Sequence, residues 1–373
     1  MAKKYNILFL SSWNPCPHTP TLGNFVMRHA ESISLINKVF FILVCSSDKN
    51  EISISNEDNL QIIRVFYKKS KCRLFNFYRY FKAYLKGFHK IESKIDIVHG
   101  NVIYPVGLIA VFFKWKLKVP FVLTEHWSIF LSENKLSFWQ KNLFKWIAQK
   151  SSYIAAVSLK LKLMMQKNEL NSLFEIIYNA IDTKIFTFKE KKENDFVEFV
   201  HISTLDKDTK NIEGLLKAFK NLVDKEPNNH LTIISDGDIS KAEEIIKTLK
   251  ISTENIRLLK TQTAENIAHF LQSADAYLQF SNYETFGITM AEALCCGTPV
   301  ISTKTGFLEA FDEKEIGLFV EKGNIADLTE KMKNIKSLDF PYKAQSLYFS
   351  KLFDKNEIAK KYNQLYQKVL DED

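Results

Sequence analysis

Short apolar runs alternate with longer amphipathic stretches along most of this chain. Short apolar runs that end in polar or glycine-containing turns are typical of strands buried on both faces of a parallel sheet. The order of strand, helix and strand at the start therefore predicts a doubly wound α/β fold. The predicted strands lie at residues 6–11, 38–45, 95–98, 121–124, 154–158, 196–203, 231–235, 256–260, 276–280, 300–303 and 316–320.

The C-terminal stretch has a helical period. Between residues 355 and 370 the apolar side chains recur at helical spacing and would share one side of a helix. A chain of 373 residues is also too long for one ordinary domain and comfortable for two, each with its own core. The apolar side chains of the C-terminal helix are Ile358, Tyr362, Leu365, Tyr366 and Leu370.

The cysteines and the lengths of the apolar runs indicate the cellular compartment of the protein. The five cysteines are odd in number and lack both disulfide-framework and metal-ligand spacing, so we interpret them as reduced core thiols of a cytoplasmic protein. The first apolar run is too short for a signal sequence, and no run is long enough to span a bilayer. The cysteines are Cys16, Cys45, Cys72, Cys295 and Cys296.

The most informative stretch for chemistry covers residues 276–310. A strand is followed by a helix that begins near Phe286, and two carboxylates, Glu284 and Glu292, flank that start. The backbone N–H groups of Phe286, Gly287 and Ile288 would have no partner inside the helix, and the helix dipole favours an anion there. Phosphate is the expected ligand.

The two carboxylates would repel a phosphate if they touched it. We therefore expect each to bind hydroxyl groups on either side of a diphosphate, which is the layout of a nucleoside diphosphate-sugar. The alternative is that Glu284 is only a favourable first-turn acid and Glu292 a solvated helix residue.

This stretch resembles the signature of the GT4-type retaining glycosyltransferases, which have Glu-x7-Glu, Phe-Gly after the first Glu, and a Gly-x-Pro-Val ending. In that family the first Glu contacts the donor sugar, the amides contact the diphosphate, and the second Glu holds the ribose hydroxyls. The resemblance implies these roles for Glu284, for Phe286, Gly287 and Ile288, and for Glu292.

The resemblance also implies the GT-B fold, with two Rossmann-like domains facing across a cleft. The expected N-terminal, acceptor-side domain covers residues 1–183. The C-terminal helix, about residues 355–373, would cross back onto it. The expected donor-binding domain covers residues 184–354.

Three further residues are candidates for the site. His126 follows a predicted parallel strand, where ligands bind in open α/β sheets, and the Thr-Glu-His run resembles a family element whose His lies near the donor sugar. Gly23 matches a family glycine set against the donor phosphates and the acceptor, although a turn alone would also need it. Lys210 is a candidate counter-charge for the diphosphate.

One element departs from the family pattern. Relatives usually have Gly-Arg-Leu before the loop that leads to Lys210, and the Arg is a phosphate ligand. Here Thr204 occupies the Arg position, so a bidentate phosphate contact is lost. Lys207, Arg28 or a helix N-terminus would have to compensate, or the donor is bound weakly.

The implied activity is transfer of a sugar, with retention of configuration, from a nucleotide-sugar such as a UDP- or GDP-sugar to an acceptor hydroxyl. A glycan or lipid-linked glycan in cell-surface polysaccharide or glycoconjugate synthesis is the expected acceptor. No aspartate-rich motif stands out, so we expect no metal and no other cofactor. A nucleotide-sugar 2-epimerase of the same fold and a catalytically silent donor-binding subunit are the alternatives.

Charge is distributed unevenly along the chain. Of a net +8, residues 1–185 carry +14 and the remainder −6. The segment from Lys68 to Lys90 has eight Lys or Arg, seven Phe or Tyr and no acid, a mixture typical of a helix at an anionic membrane surface. Its composition would also fit nucleic acid or a helix that packs its aromatic residues on the sheet. Because the family often uses lipid-linked acceptors, we favour a membrane partner and no nucleic acid, with the enzyme peripheral on the inner face of the plasma membrane.

Overall fold

The structure, a computed structural model, describes residues 3–16, 22–132, 136–191, 194–337 and 340–372. The chain divides into two compact units. Unit 1 comprises Met1–Ala180 together with Lys355–Asp373, and unit 2 comprises Ile181–Asp354. Each unit is an α/β structure with its own sheet and core, and the two are described separately.

Unit 1 contains an eight-stranded sheet in the order β3-β4-β2-β1-β5-β6-β7-β8. All neighbouring strands are parallel except β3 and β4, which form an antiparallel hairpin at one edge. The strands are β1 (Asn6–Ser11), β2 (Lys38–Ser47), β3 (Glu51–Glu57), β4 (Leu60–Lys68), β5 (Ile97–Asn101), β6 (Phe121–Glu125), β7 (Tyr153–Ala156) and β8 (Leu173–Ile176). The helices that connect them are α1 (Asn24–Ser34), α2 (Arg73–Phe88), α3 (Val106–Leu117), α4 (Phe138–Lys150) and α5 (Leu159–Lys167).

Unit 2 contains a six-stranded parallel sheet in the order β11-β10-β9-β12-β13-β14. The strands are β9 (Val197–Ile202), β10 (Asn229–Ile234), β11 (Ile256–Leu259), β12 (Ala276–Gln279), β13 (Val300–Thr303) and β14 (Gly317–Val320). The helices are α6 (Lys207–Lys210), α7 (Ile212–Val223), α8 (Ser240–Leu249), α9 (Ala264–Ser273), α10 (Ile288–Cys295), α11 (Glu313–Ile316), α12 (Ile325–Lys333) and α13 (Tyr342–Phe353).

The last helix, α14 (Lys355–Glu372), belongs to unit 1 and packs against α1. Its buried face includes Ile358, Tyr362 and Tyr366, and these side chains join a core cluster with Phe9 and Phe41 of the sheet. Tyr362 and Tyr366 also hydrogen-bond to side chains of β5 and β6. The amphipathic period at the end of the sequence therefore reports a helix that completes the first unit.

The predicted strands are all present, but three strands of unit 1, β3, β4 and β8, were missed. The strand β3 lies at the sheet edge and is mostly polar and solvent-facing, so it has no continuous apolar run. Its partner β4 was missed although Leu60, Ile62, Ile63 and Val65 are buried. The strand β8 is a four-residue edge strand that alternates exposed and half-buried positions. The expectation that residues 154–158 form the last strand of the first domain was therefore wrong.

The interpretation of the cysteines as reduced core thiols was also wrong for three of the five. Cys16 and Cys45 form a disulfide, and Cys72 is exposed, whereas Cys295 and Cys296 are buried free thiols. The first pair was missed because the fold brings the loop after β1 next to β2 across 29 positions of sequence.

Membrane spans were searched among the described residues. No helix there combines the length and the apolar character needed to cross a bilayer.

Candidate active site

Glu284 lies at the centre of a hydrogen-bonded cluster in unit 2, in the loop between β12 and α10. Its Oε1 accepts hydrogen bonds from Lys210 Nζ at 2.6 Å, Gln279 Nε2 at 2.7 Å and Ser281 Oγ at 2.8 Å. The ion pair with Lys210 is largely shielded from solvent, with side-chain exposures of 11% for Glu284 and 20% for Lys210. All the hydrogen bonds that the described residues donate to Glu284 reach Oε1, and none of them reaches Oε2.

Side chains of strand β12, which precedes Glu284 in the sequence, form a buried hydrogen-bonded network with it. Gln279 is 3% exposed and uses every polar atom of its side chain. Its Nε2 donates to Glu284 and to Ser281 Oγ, while its Oε1 lies 2.5 Å from Tyr277 Oη. Because Ser281 Oγ donates in turn to Glu284, the donors all point toward the carboxylate. These hydrogen bonds orient the Glu284 carboxylate.

Helix α10 begins directly after this cluster. Gly287 is the N-cap residue in a left-handed conformation (φ 91°), and no side chain caps the helix. A first turn without a capping side chain is suited to an anionic ligand, because the initial N–H groups have no partner within the helix. Phe286 and Gly287 directly precede this helix, and Ile288 is its first residue.

Glu292 lies on α10 and is 6% exposed. The alternative that it is a solvated helix residue is therefore wrong. A buried carboxylate is costly unless it is paired or hydrogen-bonded, and Glu292 has partners within the described structure.

Gly306 supports this loop from the neighbouring strand–loop junction after β13. Its φ is +63°, and a Cβ there would lie 2.2 Å from Phe286 O and 3.3 Å from Glu284 Cβ. The N–H of Phe307 donates to Phe286 O at 3.1 Å. Only a glycine permits this close approach, so Gly306 positions the backbone that carries both Glu284 and the start of α10.

The loop that carries Lys210 is tied to the Glu284 loop. Asn282 donates from its backbone N–H to Thr209 O at 2.7 Å and from its side chain to Asp208 O at 2.9 Å. Asn211 then caps α7 through Gly214 N–H at 3.3 Å. The position of Lys210 is thus set by backbone contacts as well as by its ion pair.

The turn that has Thr204 in the position of the family arginine follows β9 in unit 2, and His201 contacts the residues beside it. His201 Nε2 lies 2.8 Å from Ser203 Oγ, and its Nδ1 lies 2.8 Å from Leu278 O. Burial lowers the pKa of His201 to about 4, so the ring is neutral. A Cβ on Gly237 would lie 2.4 Å from Thr204 O, so this turn has no space for a side chain at position 237.

Lys210, the candidate counter-charge for the diphosphate, is paired with Glu284. Lys207 begins α6, and its side chain lies outside the described part of the structure. Arg28 is on α1 of unit 1. The helix N-terminus beside Glu284 is the start of α10.

In unit 1, Gly23 is the N-cap residue of α1, with φ 80°. A Cβ there would lie 2.3 Å from Trp13 O, so both the backbone angle and the close approach require glycine. Gly23 therefore has a structural role in the turn, which is compatible with ligand contact by its backbone.

His126 follows β6 and is 5% exposed. Its ring packs against Phe25 at 4.6 Å and His29 at 5.3 Å between centroids. Neither ring nitrogen has a hydrogen-bond partner among the described residues. Burial, with added repulsion from His29 and His99, holds the pKa of His126 well below its usual range. The imidazole is therefore neutral.

Glu125 holds the backbone around His126. Its Oε1 accepts from the N–H groups of His126 and Trp127, both at 2.8 Å, and its Oε2 accepts from Ile103 N–H at 2.8 Å. The carboxyl is fully buried, and burial raises its pKa to about 7 despite these three backbone contacts. Glu125 thus joins the loops after β5 and β6.

Sequence reasoning missed Gln279, Ser281, Glu125 and Gly306. A glutamine inside the otherwise apolar run at 276–280 was the available signal for Gln279. Among residues 3–16, 22–132, 136–191, 194–337 and 340–372, no group of three or more His, Cys, Asp or Glu side chains is arranged to hold a metal ion.

Comparison with known proteins agrees with the architecture. The fold resembles that of sucrose-phosphate synthase from Thermosynechococcus elongatus, with a TM-score of 0.80 at 16% identity over 99% of this chain and all of that one. Anabaena HepE, solved in complex with UDP-glucose, gives a TM-score of 0.73 at 15% identity over 98% of this chain and all of the other. Two Rossmann-like units with this likeness define the GT-B fold of glycosyltransferases.

Sequence comparison then gives the family. The model for glycosyl transferases group 1 matches residues 182–347, and the model for glycosyltransferase family 4 matches residues 37–185. An uncharacterized glycosyltransferase of Methanocaldococcus jannaschii is 31% identical over 67% of this chain and 68% of its own length. The chain belongs to the GT4-type, group 1 glycosyltransferases.

Two further relatives have specific names. The N-acetyl-alpha-D-glucosaminyl L-malate synthase of Bacillus anthracis is 26% identical over 76% of this chain and 77% of its own. The alpha-monoglucosyldiacylglycerol synthase of Acholeplasma laidlawii is 26% identical over 65% of this chain and 66% of its own.

Proposed function

We propose that this glycosyltransferase moves a sugar from a nucleotide-sugar, such as a UDP- or GDP-sugar, to an acceptor hydroxyl with retention of anomeric configuration. One observation carries the proposal. Glu284 is held by Lys210, Gln279 and Ser281 beside the uncapped start of α10, with Glu292 further along the same helix. The order of a carboxylate, an uncapped helix start and a second carboxylate supports a donor that consists of a sugar, a diphosphate and a ribose.

In the proposed complex, Glu284 Oε2 binds hydroxyl groups of the donor sugar. The amides of Phe286, Gly287 and Ile288 bind the diphosphate, and Glu292 binds the ribose. Departure of the nucleoside diphosphate is the difficult step, and preorganised amides together with Lys210 stabilise the charge that develops. No metal ion is needed in this scheme because cationic and amide groups take its part. The UDP-glucose complex of the Anabaena neighbour supports a nucleotide-sugar donor.

Unit 1 contributes His126 and Gly23 in this proposal. His126 has two buried ring nitrogens without a partner, and an unsatisfied buried polar group costs about 1–3 kcal/mol. A sugar hydroxyl that reached the ring would remove that cost. Gly23 offers its backbone to the donor phosphates and the acceptor. The leaving phosphate then helps to deprotonate the acceptor on the same face of the sugar.

The proposed acceptor is a glycan or lipid-linked glycan used in cell-surface polysaccharide or glycoconjugate synthesis, reached by a cytoplasmic enzyme at the inner face of the plasma membrane. Two observations support a lipid environment. The relative from Acholeplasma laidlawii is named for a glycolipid product. In the segment from Lys68 to Lys90, α2 exposes Leu74, Phe75 and Tyr78 while burying Tyr84.

A catalytically silent donor-binding subunit is the second candidate. It is favoured by Thr204, which stands where relatives have a phosphate-binding arginine, and by the engagement of Lys210 with Glu284.

The test is a panel of UDP-, GDP- and other nucleotide-sugars, incubated with the protein with and without a membrane extract. Acceptor-dependent release of nucleotide supports transfer, acceptor-free isomerisation indicates an epimerase, and binding without turnover indicates the silent subunit. Glu284→Ala removes a charged hydrogen bond and leaves Lys210 unpaired, so we expect kcat/KM to fall by about 10- to 100-fold. The exposed Glu244→Ala, on α8, is the matched control. Full transfer by Glu284→Ala would contradict the site.

A further inference from the structure

Two helices of unit 1 expose large apolar side chains at their first turns. On α2, Leu74 is 81% and Phe75 61% exposed, and on α4, Phe138 is 70% and Trp139 79% exposed. Neither helix contains an acidic residue, whereas α2 contains two lysines and two arginines and α4 contains three lysines. Exposed apolar side chains that are grouped into a patch are typical of an interaction site.

A capping box determines where α4 begins, and with it the positions of Phe138 and Trp139. Ser137 and Gln140 form a capping box, in which Gln140 Oε1 accepts from Ser137 N–H at 2.9 Å and Ser137 Oγ accepts from Gln140 N–H at 3.3 Å. Phe138 and Trp139 are therefore the first two helical residues, and both are exposed, whereas Phe144 later in the same helix is buried.

A pocket of about 160 Å³ joins the two first turns. Arg73, the first residue of α2, and Trp139 both line it, with the remaining wall mainly apolar or aromatic. Arg73 is exposed and has no hydrogen bond or ion pair within the described ranges. The other lining residues are Tyr104, Gln140, Leu143 and Phe144.

The pocket opens at the edge of the sheet that carries the candidate site residues of unit 1. Helices α2 and α4 follow the parallel strands β4 and β6, so their first turns lie at the carboxyl edge of the sheet. Tyr104 follows β5 at the same edge, close to Ile103, which hydrogen-bonds to Glu125 next to His126.

We propose that this pocket and its rim form a binding site for an anionic lipid. Arg73 contacts the lipid phosphate, the apolar wall takes the first methylene groups, and Phe75 and Trp139 enter the interface beside it. The combination of cations, absent acids and exposed aromatic rings matches an anionic bilayer surface. The inference rests on the proposed function in one respect, because the lipid site would bring the enzyme to a membrane-bound acceptor.

Tryptophan quenching by brominated lipid tests the site directly. The chain has five tryptophans, and the probe is a vesicle of phosphatidylglycerol and bromine-labelled phosphatidylcholine. We expect quenching of the wild-type protein that Trp139→Phe largely removes. Trp115→Phe is the matched control, because Trp115 is 86% exposed but lies near the opposite end of α3, at the other edge of the sheet. We expect it to retain the quenching.

Flotation with the same vesicles tests the phosphate contact. Arg73→Gln should weaken partitioning about fivefold and reduce its salt dependence, as expected for one basic residue at an anionic surface, whereas the exposed Arg257→Gln should not. Absence of quenching in the wild-type protein, quenching that Trp139→Phe leaves intact, or binding of single-stranded RNA in place of vesicles would each overturn the proposal. The assay contains no nucleotide-sugar. A protein that binds vesicles without transferring sugar would therefore contradict only the proposed function, and transfer to a soluble acceptor without vesicle binding would contradict only the lipid site.

Discussion

Gln279 offers the sharpest test of how Glu284 is positioned. In Gln279→Leu the side chain keeps a similar volume but loses the hydrogen bonds to Glu284 and Ser281 and the acceptor for Tyr277. Tyr277 Oη still has Ile202 O at 3.0 Å, and Ser281 Oγ still has Glu284 at 2.8 Å. The main effect of the substitution is therefore loss of the hydrogen bond that the neutral Gln279 amide donates to the Glu284 carboxylate.

A hydrogen bond to a charged group contributes about 1.5–3 kcal/mol, against about 1 kcal/mol for a neutral pair. If that contribution orients Glu284 for the donor sugar, its loss corresponds to a fall of about 10- to 100-fold in kcat/KM. Gln272→Leu is the matched control. Gln272 is also buried in unit 2, at 6% exposed, but it donates to Thr187 O at 2.8 Å. We expect this control to lose stability without losing activity.

The assay combines steady-state kinetics with thermal unfolding. Because Gln279 is proposed to act through Glu284, adding Gln279→Leu to Glu284→Gln should cost little beyond Glu284→Gln alone. Two results would refute the reasoning. One is a Gln279→Leu enzyme with wild-type kcat/KM, and the other is a double variant in which the two losses simply add.

The remaining predictions concern the support of the site, pH and metal. Gly306→Ala should lower the Tm and raise the donor KM because its Cβ would meet Phe286 O at 2.2 Å. Gly323→Ala shares the positive φ but has nothing within 4 Å, so it should show only the backbone cost of about 1–2 kcal/mol; equal effects would contradict the clash. Burial lowers the pKa of His29 to about 4 in the folded state, so the unfolded chain binds the proton more readily and stability is lost as pH falls from about 6.5 toward 4. His29→Gln, which can keep a hydrogen bond to Asn179, should flatten the dependence of Tm on pH in that range, and an unchanged slope would contradict the assignment. Treatment with EDTA should leave transfer intact, and loss of activity restored by a divalent cation would refute metal independence.

The sequence predicted the fold well where burial is continuous. The apolar run at 300–303 coincides with β13, and the period at the C-terminus predicted α14, because both elements are buried on faces that a local pattern records. The edge strands β3 and β8 were missed because much of their surface faces solvent, and β4 was missed although it is largely buried.

The candidate site was predictable only in part. Glu284 and the start of α10 lie within one βαβ segment, so sequence spacing alone brings them together. The ion pair of Glu284 with Lys210 joins residues 74 positions apart, and the support of Phe286 by Gly306 depends on the register of neighbouring strands. Such contacts follow from tertiary packing and leave no mark in local spacing.

The return of α14 to unit 1 has a consequence for the order of synthesis. The ribosome releases all of unit 2 before it supplies the helix that covers α1 and the aromatic core around Phe9. Domains usually fold from the N-terminus onward as they emerge. Here a nascent chain that has reached Asp354 has a complete second unit and an unfinished first one. Unit 1 is therefore the first unit whose synthesis begins and the last whose sequence is complete.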